Sequence, residues 1–442
     1  MINDFNLNDT VEMKKEHPCK KSKYWKVIRM GADIKIKCLG CGAVVMFPRH
    51  EFERKLKKII EKHHRNKRKE KRISYMSLTA GIVGLPNVGK STLFNAITNS
   101  QVLAENYPFA TINPNVGVVE VPDKRMDDFV ELFHPKKTIY TTFEFTDIAG
   151  LVKGASKGEG LGNQFLANIR ETDAIVHVVR CFDDSNIEHV EGSVDPIRDI
   201  EEINLELCLS DLDTVQNRIS KVAKKAQTSK DKDAVAEYTS LQKFEKLLEA
   251  GTPVRLGDLE DSDREVLKNY GLLTSKPVIY VANMSDEEIG DPESNAYYQK
   301  VKAFAANEGS ECIAICAKME EELSSLDKEE KIAFMQDLGI AQSGLDKIIR
   351  AAYHLLGLRT FFTVGEPECR AWTFHEGMKA PQCAGVIHTD FEKGFIRAEI
   401  YSYEDLMEYR TEQSVKEHGK MRLEGKEYLM KDGDVVFFRF NV

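Results

Sequence analysis

The stretch from Gly84 to Ser91 reads Gly-Leu-Pro-Asn-Val-Gly-Lys-Ser, with four residues between two glycines and then a lysine and a hydroxyl. A loop of this kind turns its backbone N–H groups onto phosphate oxygens. Lys90 then reaches the β- and γ-phosphates, and the Ser91 hydroxyl can ligate Mg²⁺. We therefore predict a nucleoside triphosphate site. Its phosphate-binding residues are Asn87, Val88, Gly89, Lys90, Ser91 and Thr92.

Two later segments supply further groups that such a site needs. Asp147 and Gly150 form an Asp-x-x-Gly motif at the end of a β-like run. The carboxylate can hold Mg²⁺ through a water, and the N–H of Gly150 can contact the γ-phosphate. Thr111 lies between the two motifs, where a threonine can close over the metal, although a turn residue is the alternative. The predicted Mg²⁺ ligands are Ser91, Thr111 and Asp147.

The residue after Gly150 bears on the rate of hydrolysis. Ras-like enzymes place a glutamine there to orient the attacking water, whereas this chain has Leu151, which cannot hydrogen-bond. We expect slow intrinsic turnover unless a partner, a monovalent cation or another side chain assists. Asn87 is a candidate ligand for K⁺ beside the phosphates, and equal rates in K⁺ and Na⁺ would contradict that hypothesis.

The elements that must position these motifs follow from hydrophobic periodicity. Strand-like and helical patterns alternate from residue 78 to about 200, which predicts an α/β domain with a mainly parallel sheet. Apolar residues then recur at intervals of three and four, from Leu205 to Val222 and again from Tyr238 to Leu248. We expect two helices packed as an antiparallel hairpin, inserted before the sheet resumes at 277–281 and 312–315. From Thr360 short strands and turns predict a separate α+β module.

The 442 residues carry a net charge of −9 and 30% charged residues, which indicates an ordinary globular protein of several domains. Since no apolar run approaches the roughly twenty residues of a membrane helix and the N-terminus lacks a signal-peptide pattern, we expect a cytoplasmic protein without a membrane partner. The nine cysteines are scattered and odd in number. That favours reduced thiols over a disulfide framework.

Three groups of motifs resemble the YchF family of Obg-related nucleotidases. They are the Gly84 to Thr92 loop, the Asn-Tyr-Pro-Phe-Ala-Thr run at 106–111, and the Asp147 to Asn163 segment. The C-terminal runs Arg370-Ala-Trp-Thr-Phe, Ala380-Pro-Gln and Gly385-Val-Ile-His-Thr-Asp-Phe, with Gly394-Phe-Ile-Arg-Ala-Glu, are similar to that family as well.

The resemblance covers 76–442 and implies a G domain at 76–359, with the hairpin at about 200–275, and a C-terminal TGS domain at 360–442. A small β-rich domain at 1–60 and a basic linker at 61–75 precede it. The resemblance also implies ATP preferred over GTP, association with the ribosome and regulation of translation or the stress response. A family histidine with a role in hydrolysis corresponds to His189. The catalytic candidates are Lys90, Gly150 and His189.

Base selection is where this chain departs from its relatives. Guanine-binding relatives use Asn-Lys-x-Asp and the resembled family uses Asn-x-x-Glu, whereas this chain reads Asn-Met-Ser-Asp from Asn283 to Asp286. Met284 can stack on a base. Asp286 is compatible with guanine, and a carboxylate facing adenine N1 would be repelled, so ATP is favoured on family grounds while GTP stays open.

A later loop, Cys-Ala-Lys at 316–318, resembles the family's Ser-Ala-Lys, which supports the base. Its thiol is either a packed small side chain or a redox-sensitive group. The predicted contacts to the nucleoside are Asn283, Met284, Asp286, Cys316, Ala317 and Lys318.

The N-terminal unit contains two features of its own. Cys19, which follows His17, and the Cys-x-x-Cys pair Cys38 and Cys41 can complete a zinc site, or they are ordinary buried cysteines of a reduced domain. Residues 53–72 are dense in lysine and arginine. They are either a solvated helix leading into a linker or an arm that contacts ribosomal RNA.

Together these motifs predict a Mg²⁺-dependent P-loop nucleoside triphosphatase in which water attacks the γ-phosphate in line. Its partners would be ATP and a ribosome, with the large subunit and ribosomal RNA as the contact. Two alternatives are a GTP-dependent switch in ribosome assembly and a binding module in which nucleotide only orders the loops.

Overall fold

The structure is a computed structural model that describes residues 10–15, 18–29, 33–61, 78–100, 115–148, 150, 161–228, 231–338, 340 and 342–441. Two compact units divide it, Met1–Met76 and Ser77–Val442. No helix among the described residues has the length and hydropathy needed to cross a membrane.

The first unit is one antiparallel sheet with the strand order β4-β3-β2-β1-β5. Its elements are β1 (Thr10–Met13), β2 (Tyr24–Arg29), β3 (Asp33–Cys38), β4 (Val44–Pro48), α1 (Arg49–Lys55) and β5 (Leu56–Glu61). Alternate residues such as Ile34 and Ile36 are buried while Lys35 and Lys37 lie on the other face, as the two-residue period of a strand requires. The predicted small β-rich domain is therefore confirmed.

The solvated helix, one of the two alternatives for the basic segment, is wrong for residues 56–61. They form strand β5, which pairs with β1. Lys57 and Lys58 both lie within ion-pair distance of Glu12 on that neighbouring strand. The remainder of the basic segment, from residue 62, lies outside the described residues.

The second unit is built on a six-stranded sheet with the order β12-β11-β10-β6-β9-β7, in which β7 alone of these strands is antiparallel to its neighbour. Its strands are β6 (Thr79–Val83), β7 (Val116–Glu120), β9 (Thr142–Asp147), β10 (Ala174–Arg180), β11 (Val278–Asn283) and β12 (Glu311–Ile315). Because the parallel strands end at one edge, that edge collects the phosphate loop, Asp147, Arg180, Asn283 and Cys316.

The helices of this unit pack on the sheet or form the inserted segment. They are α2 (Lys90–Asn99), α3 (Lys124–Phe133), α4 (Leu161–Glu171), α5 (Pro196–Thr228), α6 (Lys232–Glu249), α7 (Asp261–Leu267), α8 (Ala296–Glu308), α9 (Ala317–Ser324), α10 (Lys328–Asp337) and α11 (Gly344–Leu355). The α/β fold class is confirmed.

Helices α5 and α6 form the predicted antiparallel hairpin. Arg218 on α5 pairs with Glu237 on α6 at 2.6 Å, and Lys225 pairs with Asp231 nearer the turn. The shared apolar core contains Cys208, Val215, Val222, Leu241, Phe244 and Leu248. Leu205, which its spacing places in the seam, is instead 49% exposed.

The C-terminal module forms a mixed sheet with the order β16-β15-β17-β13-β14-β8. Its elements are β8 (Thr138–Ile139), β13 (Leu358–Thr363), β14 (Cys369–His375), α12 (Ala380–Ile387), α13 (Thr389–Lys393), β15 (Phe395–Ser402), α14 (Tyr403–Tyr409), α15 (Glu412–Glu417), β16 (Arg422–Glu424) and β17 (Asp434–Phe440). The short strand β8 comes from the middle of the G domain sequence and pairs with β14. The module is α+β, as predicted.

Candidate nucleotide-binding site

The phosphate loop joins β6 to α2 in the predicted order of strand, loop and helix. A Cβ at Gly84 would lie 2.5 Å from the carbonyl oxygen of Val178, so only glycine fits. Gly89 has φ +98 and would bring a Cβ within 2.2 Å of Asn283 Nδ2. It also occupies the N-cap of α2, where no side chain of the described residues caps the helix. The first amides of α2 are therefore available to an anion.

Lys90 opens helix α2 and is buried, with its Nζ donating to the carbonyl oxygen of Leu85 at 2.5 Å. Burial lowers the pKa of Lys90 to about 8, although the charge of Asp147 opposes the shift. Burial likewise raises the pKa of Asp147, and Lys90 opposes that shift. A cation and an anion that are both poorly solvated lie together where phosphate would bind.

Gly150 lies directly against the phosphate loop. A Cβ there would be 3.1 Å from Lys90 Nζ and 3.4 Å from the backbone nitrogen of Pro86. The structure therefore brings Lys90 together with both members of the Asp-x-x-Gly motif. Ser91 is exposed at the same helix end. Thr111 and Leu151 lie outside the described residues.

Asn283, at the end of β11, connects two loops of the site. Its Nδ2 donates to the carbonyl oxygen of Val88 at 2.9 Å, and its Oδ1 accepts the N–H of Ala317 at 2.9 Å. Both polar atoms of this buried amide are thereby occupied. Asn283 fixes the phosphate loop and the 316–318 loop relative to each other. Its sequence motif did not reveal this positioning role.

The other residues predicted to contact the nucleoside fall into buried and exposed groups. Met284 is 2% exposed and packs in the main core, so its stacking on a base stays a prediction. Cys316 is buried, in agreement with the packed side chain rather than the redox-sensitive alternative. Asp286 and Lys318 are both exposed, with Lys318 Nζ 3.9 Å from Asp286 Oδ2.

His189 lies on a loop that touches the phosphate loop. Asn87, at φ +62, donates from Nδ2 to the carbonyl oxygen of Glu188 at 3.2 Å. The ring of His189 is buried: Nδ1 accepts the N–H of Glu191 at 3.1 Å, and Nε2 lies 2.9 Å from Asp199 Oδ2. Because Nδ1 is an acceptor, the proton is on Nε2 and is donated to Asp199. Both ring nitrogens are thus engaged in this conformation.

Arg180 ends strand β10 and hydrogen-bonds to the loop that carries His189. The residue is 2% exposed, and its guanidinium donates to three backbone carbonyls. The acceptors are Phe182 O at 3.1 Å, Ile187 O at 3.0 Å and Asp184 O at 3.3 Å. Sequence reasoning missed Arg180, although a charged residue closing an otherwise apolar strand was a usable signal.

Comparison with known proteins decides the family. The chain is 59% identical over 367 residues to the protein named Ribosome-binding ATPase YchF of Bacillus subtilis (strain 168), covering 83% of this chain and 100% of that protein. It is 54% identical over the same length to the protein of that name from Escherichia coli O157:H7. The chain belongs to the YchF family. The resemblance that its motifs carry is confirmed.

Family models and a solved structure agree with this membership. Residues 358–441 match the YchF-GTPase C-terminal family, described as a protein of unknown function, and residues 79–218 match the 50S ribosome-binding GTPase family. The Schizosaccharomyces pombe YchF GTPase structure aligns with a TM-score of 0.74 and 43% identity, covering 82% of this chain and 98% of that one. Residues 5–60 match a separate bacterial family of unknown function, DUF951.

As a YchF-family protein the chain is a P-loop nucleoside triphosphatase, and such sites work with Mg²⁺. The residues present fit that ion, because Ser91 offers an exposed hydroxyl at the start of α2 and Asp147 a carboxylate beside Lys90. Hard oxygen donors of this kind are what Mg²⁺ prefers. When bound, the ion would neutralise charge that develops on the phosphates.

The lowered pKa of Lys90 predicts how nucleotide affinity in this YchF-family chain depends on pH. Phosphate charge raises the pKa on binding, so the gain in affinity is complete below the free value of about 8 and is lost as pH rises through the higher pKa of the bound state. We expect net proton uptake on binding and an affinity that weakens as pH rises above about 8, measured by calorimetry in buffers of different ionisation enthalpy. Lys90→Arg, which stays charged, should flatten the profile. An unchanged profile in that variant would contradict the prediction.

Proposed function

We propose that this chain hydrolyses ATP in preference to GTP and that its nucleotide state controls docking on the ribosome. The observation that carries the proposal is the meeting of Lys90, Asp147 and Gly150 at the open N-terminus of α2. The Bacillus subtilis relative, 59% identical to this chain, bears the name ribosome-binding ATPase. We propose that the chain works on the ribosome in the cytoplasm, where it would regulate translation or the stress response.

The chain's own residues suit hydrolysis by an attacking water. Amides at the start of α2 and the Lys90 ammonium stabilise negative charge on the transferred phosphoryl group. The N–H of Gly150 senses the γ-phosphate because that glycine packs against Lys90 and Pro86. In this assignment Ser91, Thr111 and Asp147 hold Mg²⁺.

His189 is the proposed residue that assists hydrolysis. Its loop is hydrogen-bonded to the phosphate loop through Asn87 and Glu188, which supports a place near the γ-phosphate. To act on a water, the ring must leave Asp199, since Nε2 carries the proton given to that carboxylate.

Binding of K⁺ beside the phosphates stays a prediction as well. The Oδ1 atom of Asn87 would bind the cation, because the amide oxygen carries the lone pairs while the amide nitrogen donates to Glu188 O.

The exposed pair of Asp286 and Lys318 supports adenine over guanine. Lys318 Nζ lies 3.9 Å from Asp286 Oδ2, and a carboxylate held by this lysine would be less able to accept hydrogen bonds from guanine. We expect tighter binding of ATP than of GTP by calorimetry, with ATP affinity unweakened in Asp286→Asn. Glu287→Gln, which changes the neighbouring exposed carboxylate, is the matched control. Tighter GTP binding that falls in Asp286→Asn would overturn the choice of ATP and favour the GTP switch.

One face of the C-terminal sheet supports contact with ribosomal RNA of the large subunit. Register places Phe437 and Leu423 on either side of Glu399, and both apolar side chains are more than half exposed. Arg439 lies 4.3 Å from the centre of the Phe437 ring. Exposed aromatic rings beside arginines are platforms on which RNA bases stack.

Cosedimentation with isolated large subunits, with and without ATP, tests this contact. Binding that Lys90→Ala leaves unchanged would favour the adaptor alternative.

A further inference from the structure

Three cysteines of the N-terminal unit lie together in space. Cys19 precedes β2, Cys38 ends β3, and Cys41 lies in the turn that leads to β4. Their three sulfur atoms all lie within 4.8 Å of one another, and Cys19 Sγ is 3.8 Å from Cys38 Sγ. In the described part of the chain none of the three forms a disulfide. The sheet therefore gathers three thiol sulfurs from two separate loops.

The spacing of these sulfurs suits a shared metal ion. Zinc–sulfur bonds of about 2.3 Å in a tetrahedron place neighbouring sulfurs about 3.8 Å apart. The distance between Cys19 Sγ and Cys38 Sγ has that value. A disulfide would hold these sulfurs about 2.0 Å apart, whereas the structure leaves the thiols unbonded.

Backbone N–H groups point at each sulfur. Lys21 N–H donates to Cys19 Sγ at 3.4 Å, the N–H groups of Gly40 and Cys41 donate to Cys38, and that of Ala43 donates to Cys41. Hydrogen bonds of this kind stabilise the negative charge of a thiolate, which is the form that binds metal. Three clustered thiolates without a cation would repel one another.

The fold builds this arrangement through close backbone contact. A Cβ at Gly40 would lie 2.8 Å from the backbone of Lys21 and Ser22, so only glycine lets the two cysteine loops meet. Gly42 has φ +78 and closes the turn, in which its N–H donates to the carbonyl oxygen of Cys38. Lys20, directly after Cys19, also has a positive φ of 50. A strained non-glycine backbone of this kind persists where the surroundings fix it.

Because the unit is small, a bound metal would add to its stability. Its sheet spans residues 10–61, and few side chains form the core. The buried apolar side chains are Val11, Met13, Trp25, Val27, Ile34, Ile36, Cys38, Phe52 and Leu56. Domains with cores of this size commonly need a disulfide or a metal for stability. A metal at the three cysteines would join the start of β2 to the end of β3.

We propose that Cys19, Cys38 and Cys41 bind one structural Zn²⁺ ion and that this ion stabilises the N-terminal unit. Soft thiolates select zinc over the hard cation Mg²⁺, which keeps this site chemically distinct from the nucleotide site. Three protein ligands leave a fourth position for a water or another donor. His17 lies outside the described residues and is not assigned to the site. The proposal does not depend on the nucleotide specificity proposed above.

The test measures zinc in the full-length chain purified without a polyhistidine tag and under reducing conditions. We expect one zinc per chain by plasma mass spectrometry, released when a mercurial reagent titrates the thiols. Cys41→Ser, at an exposed position, should lose most of the zinc and remain folded. Cys38→Ser should also lose the zinc, and because Cys38 is buried in the core of this unit it should lower the unfolding temperature further. Cys312→Ser changes a partly buried cysteine of the other unit and should keep a full complement.

Cobalt gives an independent readout. The metal-free chain should bind one Co²⁺ with the near-ultraviolet charge-transfer absorption of thiolate ligands, which Cys41→Ser should weaken and Cys312→Ser should not. Chelation should lower the temperature at which the N-terminal unit unfolds. A reduced, folded chain that contains no zinc and shows no thiolate absorption with Co²⁺ would overturn the proposal. A disulfide between two of these cysteines in cells would do so as well.

Discussion

Replacing Asn283 with alanine is expected to lower the affinity for ATP on the order of 100-fold, because both polar atoms of this amide hold the site together. The change leaves the carbonyl of Val88 and the N–H of Ala317 without their partner. Each unsatisfied buried group costs about 1–3 kcal/mol, so in the free variant the two loops relax away from this geometry, and ATP must restore it at a cost of this size. Calorimetry with ATP measures the loss.

Binding of inorganic tripolyphosphate distinguishes the contributions of the two loops that Asn283 connects. If the amide acts through the phosphate loop, as the contact between Val88 and Asn283 predicts, the affinity for tripolyphosphate falls together with that for ATP. A loss confined to ATP would place the effect in the 316–318 loop instead. Asn269→Ala removes an exposed amide that donates to Glu265 O and should change neither affinity. Unchanged ATP binding by a folded Asn283→Ala protein would contradict the positioning role.

The sequence predicts the parts of this site whose geometry is local. The phosphate loop is fixed by a strand, a few glycines and a helix that are adjacent along the chain, so its order and its lysine are evident from spacing alone. Asp147 is also predictable, since the carboxyl ends of parallel strands meet at one edge. Lys90 and Gly150 come together in the structure as those motifs imply.

Contacts between distant segments were not predictable in this way. Asn283 was assigned to the base from its motif, yet its two hydrogen bonds join loops 195 and 34 residues away. Strand β8 joins a sheet whose other strands begin at Leu358, a pairing that no local pattern signals. For residues 56–61 the charge run suggested a solvated helix as one of two alternatives, whereas pairing with β1 decides their conformation.

Arg180 is the second residue whose loss should have a large effect. Its buried guanidinium donates to three carbonyls of residues 182–187, just before His189 and before the Glu188 carbonyl that Asn87 contacts. Arg180→Met removes all three bonds while keeping an unbranched apolar stem. We expect the rate of ATP hydrolysis to fall by one to two orders of magnitude, since displacement of a catalytic loop by about 1 Å can cost 100-fold.

The loss in Arg180→Met should appear in kcat and should approach that of His189→Ala, because the variant acts by displacing the loop that carries His189. The affinity for ATP should change little, since Asn283 still holds the phosphate loop.

Arg180→Lys retains one charged donor, and its kcat should lie between those of the wild type and Arg180→Met. Arg218→Met is the matched control: it alters an arginine of the helical hairpin that pairs with Glu237, and it should leave kcat unchanged. Single-turnover hydrolysis, together with proteolysis of residues 182–195, measures both effects. A folded Arg180→Met protein with wild-type kcat and an unchanged cleavage pattern would show that the guanidinium stabilises the fold without positioning the loop.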